Sequence, residues 1–201
     1  MAIINARSPQ NSDPDPHPAQ YTSMMLQFYL DALEKRQPVE ILDVGPVCQE
    51  NIRFFAQRVR KLHVCDMFLR LDRERRQGLP LSRVWRHLDY PFQSFDGIQL
   101  WSLIDHLDNQ AVKELAERCH HMLKLQGLAM VIALEEQTAP QRVSSFVIGK
   151  EYHLSPRPQT QLDLPWYFRH NRALESLMAP LKTIKSFRYR NGTREFLFQR
   201  E

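Results

Sequence analysis

The sequence predicts a three-layer α/β sandwich, with helices on both faces of a mostly parallel seven-stranded sheet that ends in an antiparallel C-terminal hairpin. Three observations carry the prediction. Short apolar runs alternate with amphipathic segments over residues 39–134, the pattern of successive βαβ units. Leu128 to Leu134 is continuously apolar, as in a strand buried on both faces. Asn191-Gly192 separates two runs near the end, the strongest short-range signal for a hairpin.

Residues 1–20 form a proline-rich arm, with four prolines between Ser8 and Gln20 and little to bury. Residues 21–201 are expected to fold as one domain. Tyr21 to Arg36 reads as a helix, with Thr22 or Ser23 as cap and Met24, Met25, Phe28, Ala32 and Leu33 near helical spacing. Pro38 bars its continuation. A strand follows at Val39–Leu42, a helix at Glu50–Val59, a strand at Leu62–Cys65 and a charged helix from Phe68 to Gln77 that stops at Gly78. Strands are expected at Val84–Leu88 and Ile98–Trp101. The clearest helix is Asn109–Lys124, capped by Asp108 or Asn109, with Val112, Leu115, Ala116, Cys119, Met122 and Leu123 in one stripe. Asn171–Ala179 reads as a last helix, and Lys182–Tyr189 and Thr193–Gln199 as the hairpin strands. Right-handed crossovers then put a ligand at the carboxyl ends of the parallel strands.

The bulk properties exclude several classes. No apolar run reaches the length needed to span a bilayer, and the first residues lack the features of a secretory signal. Three cysteines without regular spacing make no disulfide framework, which suits a reduced cytoplasmic protein. The net charge of +4 admits an anionic partner without demanding one. Cys119-His120-His121 offers no metal geometry, because adjacent helix positions face apart, and no metal site is read.

The ordered motifs resemble those of class I S-adenosylmethionine-dependent methyltransferases, which have a Rossmann-like fold. Glu40-Ile-Leu-Asp43-Val-Gly45 is similar to the first motif, an acidic residue and a glycine leaving strand one. Asp66 stands about 20 residues on, where the ribose-binding carboxylate is expected. Leu88-Asp89 resembles the adenine-facing segment after strand three. Phe95-Asp96-Gly97 resembles the entry to strand four, and Trp101-Ser102-Leu103-Ile104-Asp105-His106 the loop after it. The resemblance covers residues 39–134 well and 171–200 in outline. It implies S-adenosyl-L-methionine as cofactor, held by Asp43, Gly45, Asp66, Met67, Leu88, Asp89 and Trp101. It also implies a small-molecule or protein methyl acceptor, under a substrate cover at residues 150–170 that includes Tyr152, Trp166, Tyr167 and Arg169.

The loop departs from the family pattern. Val47 and Gln49 stand where two further glycines are usual, and Pro46 fixes its own φ. Either the loop runs differently and still admits the cofactor, or binding is weakened or lost. Two functions therefore stand side by side: an active methyltransferase, or a protein of that fold serving as a binding or scaffolding subunit. Dinucleotide oxidoreduction is a third and weaker option, since its fingerprint needs three glycines. Asp105 and His106 are candidate acid–base groups, or a capping Asp and a packed His. Asp66 either binds ribose or caps the next helix. Cys48 is a reactive thiol or an inert small residue. The tail carries Lys182, Lys185, Arg188, Arg190, Arg194 and Arg200, a nucleic-acid face or a solvated one, the latter favoured in the absence of an RNA-binding motif.

Overall fold

A computed structural model describes residues 19–136 and 143–201. Most of the expected N-terminal arm lies outside the described residues. The first element is not a helix but a two-residue strand, β1 (Tyr21–Thr22), and helix α1 (Met24–Glu34) follows. The boundary is set by Ser23, whose extended backbone breaks the helix and whose hydroxyl accepts from Leu26 N–H at 2.9 Å. The parallel region then runs β2 (Glu40–Asp43), α2 (Gln49–Ala56), β3 (Lys61–Val64), α3 (Met67–Arg76), β4 (Phe95–Trp101), α4 (Asn109–Met122) and β5 (Leu123–Leu134). Asp66 and Asp108 cap α3 and α4 by accepting the N–H groups of Leu69 and Ala111.

The strand expected at Val84–Leu88 is absent. Residues Leu81–Leu88 form 3-10 turns instead. Val84, Trp85 and Leu88 are buried at spacings of one and four, which suits a helical turn and not strand alternation. Trp85 Nε1 also donates to Glu114 of α4 at 2.6 Å, which fixes the turn against that helix. The main sheet therefore has six strands, in the order β3-β2-β4-β5-β9-β8. β3, β2, β4 and β5 are parallel. β8 (Lys182–Arg188) and β9 (Thr193–Gln199) add an antiparallel pair, preceded by α5 (Asn171–Leu177). The strand order reverses between β2 and β4, so the switch point lies there.

The hairpin turns at Asn191-Gly192 as expected, with Gly192 at φ +77°. Its loop has three residues: Tyr189 N–H donates to Thr193 C=O at 2.8 Å, and Gly192 N–H to Tyr189 C=O at 3.2 Å. The basic residues of the tail are divided between faces: Arg188 and Arg194 are register partners on one, and Lys185 pairs with Leu197 on the other. Arg194 and Arg200 are buried, and they donate to the backbone carbonyls of Leu134 and Leu123.

Residues 144–158 form β6 (Ser144–Ile148) and β7 (His153–Pro158), which join β1 in a small antiparallel sheet. Asn51 of α2 holds this sheet: its amide donates to Phe146 C=O and accepts from Ile148 N–H, both at 2.8 Å. On the same side α1 packs so closely on β4 that a Cβ at Gly97 would lie 2.2 Å from Tyr29 Oη. Only glycine permits that approach.

Candidate functional site

β2 and β4 flank the switch point, and their carboxyl ends carry Asp43-Val44-Gly45 and Trp101. Trp101 leaves the strand at φ +51°, a backbone state that costs a bulky residue about 1–3 kcal/mol. The turn brings its indole back over the loop. Trp101 Nε1 donates to Asp43 Oδ1 at 2.7 Å, and Gly45 N–H donates to the same oxygen at 2.9 Å. A Cβ on Gly45 would lie 2.3 Å from the indole, so the ring rests directly on the glycine backbone. Phe146 of β6 stacks on the outer face of Trp101 with an interplanar angle of 5°. Both rings are buried.

Beneath the indole the sheet is polar. Asp43 and Gln99 are register partners on β2 and β4, and paired residues of parallel strands project to one face. Burial pushes Asp43 up to about 6, against the opposing effect of its hydrogen bonds from Gly45 and Trp101. Gln99 is wholly buried, and neither its amide oxygen nor its nitrogen has a hydrogen-bond partner. The Tyr29 hydroxyl, two residues down β4 at Gly97, is also buried without one.

The other expected ligands are placed as follows. Asp66 stands at the end of β3, and both oxygens accept backbone N–H groups, Leu69 at 2.9 Å and Val47 at 3.1 Å. Met67 is buried, with its N–H on Val44 C=O. Asp89, adjoining the buried Leu88, is exposed and lines a hollow with Glu117, Arg118 and His121. Those residues lie in the second half of α4, which runs from the carboxyl edge of the sheet toward the opposite one. The structure thus gathers Asp43, Gly45, Asp66 and Trp101 and leaves Asp89 apart.

Asp105 and His106 are neighbours in sequence but act in different places. Asp105 accepts Leu134 N–H at 2.9 Å, and burial pushes it up to about 7. His106 is edge-on to Phe68, with Nδ1 2.8 Å from Pro165 C=O, and burial lowers it to about 4. Arg169 is buried and donates to Ile104 C=O, Leu107 C=O and Asn109 Oδ1, clamping the turn before α4. Trp166 stacks on Phe168, and Tyr167 N–H reaches Asp105 C=O. Tyr152 lies elsewhere, edge-on to Phe54 of α2. Cys48 donates to Glu50, which pairs with Arg157 of β7, so this thiol takes part in fastening the small sheet; burial raises it. Gln99, Tyr29 and Phe146 were not among the residues singled out by sequence. Gln99 has a visible signal, a polar residue inside an otherwise apolar strand.

The geometry decides how the expected cofactor fits. The donors and carboxylates suit a nucleoside with an amino-acid tail, but the indole takes the space against Gly45. The cofactor does not fit beside this loop in the arrangement described.

No family model matches the chain, and no curated protein does. Solved structures match over most of its length. They include an S-adenosylmethionine-dependent methyltransferase from Clostridium acetobutylicum (TM-score 0.58, 10% identity, 87% of this chain and 89% of that one). A second, from Mesorhizobium loti, has a TM-score of 0.53 at 12% identity, over 85% and 96% of the two chains. A third is the 1,6-didemethyltoxoflavin-N1-methyltransferase of Burkholderia thailandensis, solved with 1,6-didemethyltoxoflavin and S-adenosylhomocysteine bound. It has a TM-score of 0.51 at 14% identity, over 88% and 78%. The chain has the class I methyltransferase fold.

Proposed function

We propose that the chain is an S-adenosylmethionine-dependent methyltransferase whose cofactor site is closed by Trp101, so that the ligand enters only after the indole has left Gly45. The observation that carries this reading is the unsatisfied floor under the ring. A buried polar group without a partner costs about 1–3 kcal/mol, and a cleft built only to stay shut has no use for Gln99 in that position. Asp43 and Gln99 are the groups that an open site would present to a ligand. The acceptor would be a small molecule, as in the Burkholderia enzyme, taken beside residues 150–170. Three free cysteines suit a cytoplasmic setting.

The magnitude of the closure follows from its parts. Burial of the indole contributes about 3 kcal/mol and its hydrogen bond about 1 kcal/mol. The left-handed backbone at Trp101 opposes them by about 1–3 kcal/mol. A net of about 1–3 kcal/mol leaves the open form at between about one molecule in six and about one in 150, and weakens apparent affinity by about 5- to 150-fold.

A second reading is a binding subunit without catalysis. It is favoured by Asp66, whose two oxygens are engaged by Val47 and Leu69, and by Val47 in the place of a glycine. Calorimetric titration of S-adenosylhomocysteine into the native protein, Trp101→Gly and Trp101→Phe separates the readings. We expect Trp101→Gly to bind about 5- to 150-fold more tightly than the native chain. Absence of heat with all three proteins up to millimolar ligand would leave only the binding subunit. Tight native binding with no gain in Trp101→Gly would remove the gate and keep the methyltransferase.

A further inference from the structure

A second hollow, of about 370 Å³, lies between α3 and the 3-10 turns of residues 81–88, away from the indole. It owes its character to an arginine-dense stretch: residues 70–87 hold six arginines against Asp72 and Glu74. Two of these are neutralised. Arg75 pairs with Asp163 at 3.0 Å and Arg76 with Asp72 at 2.7 Å. The three that line the hollow, Arg70, Arg73 and Arg83, form no salt bridge among the described residues.

Arg70 Nη1 donates to His87 Nε2 at 3.2 Å, and Arg70 Nε is buried without a hydrogen-bond partner. Two carboxylates share the wall. Asp66 is engaged by two backbone N–H groups, which leaves Glu74 as the uncommitted acid. Three guanidinium groups therefore face two carboxylates, of which only Glu74 has an oxygen without a partner. A concave surface with such an excess focuses anions, and the planar fork of arginine matches phosphate oxygens two at a time.

We propose that this groove binds a phosphate group, with Arg70, Arg73 and Arg83 as its ligands and His87 beside them. Leu69 and Leu79 give the groove apolar edges that suit a phosphorylated small molecule as well as the free ion. The groove shares Asp66 with the candidate cofactor site, but its arginines belong to neither β2 nor β4, and the proposal does not rest on the methyltransferase reading.

The test is calorimetric titration with inorganic phosphate and with glycerol phosphate at constant ionic strength, on the native chain and on Arg73→Ala, Arg83→Ala and Arg75→Ala. Saturable binding is expected, with a dissociation constant of about 1 mM or lower. Arg73→Ala and Arg83→Ala should each weaken it at least about tenfold, since each removes a charge-assisted pair of hydrogen bonds. Arg75→Ala, paired with Asp163, should bind as the native chain does. Tighter binding of the ester than of the ion identifies a phosphorylated metabolite; equal binding identifies free phosphate. The His87 ring provides a local reading. Burial, and then Arg70, hold it below its ordinary value. Of the charged groups acting on it, Arg70 opposes its protonation and Glu74 favours it, so phosphate should raise its titration midpoint by NMR. No saturation up to about 20 mM would overturn the proposal. Equal losses in Arg75→Ala and Arg73→Ala, or binding of an oligonucleotide but not of phosphate, would overturn it too.

Discussion

Two buried carboxylates, Glu195 and Asp43, stand on the same side of the sheet and are treated very differently. Glu195 on β9 accepts from Tyr21 Oη at 2.8 Å, Ser23 Oγ at 2.7 Å, Tyr189 Oη at 2.6 Å and Met25 N–H at 3.4 Å. It lies at the positive end of α1 and ties that helix and β1 to the hairpin. Asp43 has two donors, on a single oxygen, and one of them is a side chain in a left-handed backbone position. The first arrangement is saturated and serves the fold. The second is covered by one buried ring, beside Gln99 and Tyr29 side chains that have no hydrogen-bond partner. That contrast is the physical basis for placing function at the ends of β2 and β4.

The largest expected effect breaks the saturated site. Glu195→Ala leaves four donors facing a hole and should lower unfolding free energy by about 3–5 kcal/mol in denaturant melts. Asp43→Asn keeps an acceptor for Gly45 and Trp101 and should cost no more than about 1 kcal/mol. Equal losses would erase the distinction between the two sites.

A second effect is the dependence of stability on pH. Asp43 and Asp105 are raised by burial to about 6 and about 7. The folded chain therefore keeps protons that the unfolded chain has released. Their contribution is full below about pH 4 and is lost as pH rises toward 7. Glu195, raised by the same cause, adds in the same direction. For Asp43 the change is roughly 3 kcal/mol. Melts from pH 4 to 8 should show this fall, and Asp43→Asn should remove the part that ends near pH 6. A profile unchanged in Asp43→Asn would mean that the carboxyl is not desolvated as described.

The smallest effect sharpens the view of Trp101. Trp101→Phe keeps a ring against Phe146 but deletes the N–H, and should cost about 1 kcal/mol in the same melts. A loss of several kcal/mol would make the indole a core residue and not a gate.

Much of this architecture is legible in the sequence because it rests on local periodicity. The α4 stripe, the Leu128–Leu134 run and Asn191-Gly192 each specify their element within a dozen residues. Val84–Leu88 misleads because three apolar residues in five fit a strand or a turn equally, and the contact of Trp85 with Glu114 decides between them. β1 pairs with β7 across more than a hundred residues, and β6 and β7, a local pair, take their place from β1 and from the distant anchor Asn51. Asp43 and Gly45 are legible as a candidate site from their spacing to Asp66. The closure is not, because it depends on the backbone sign at Trp101 and on a register partner, Gln99, from another strand.

The most direct test of the closed cleft is the structure of the native protein crystallised with millimolar S-adenosylhomocysteine. The account predicts ligand against Gly45 and Asp43, with the Trp101 indole turned out of the cleft and Gln99 hydrogen-bonded. Trp101 still resting on Gly45, with ligand absent or bound elsewhere, would contradict it.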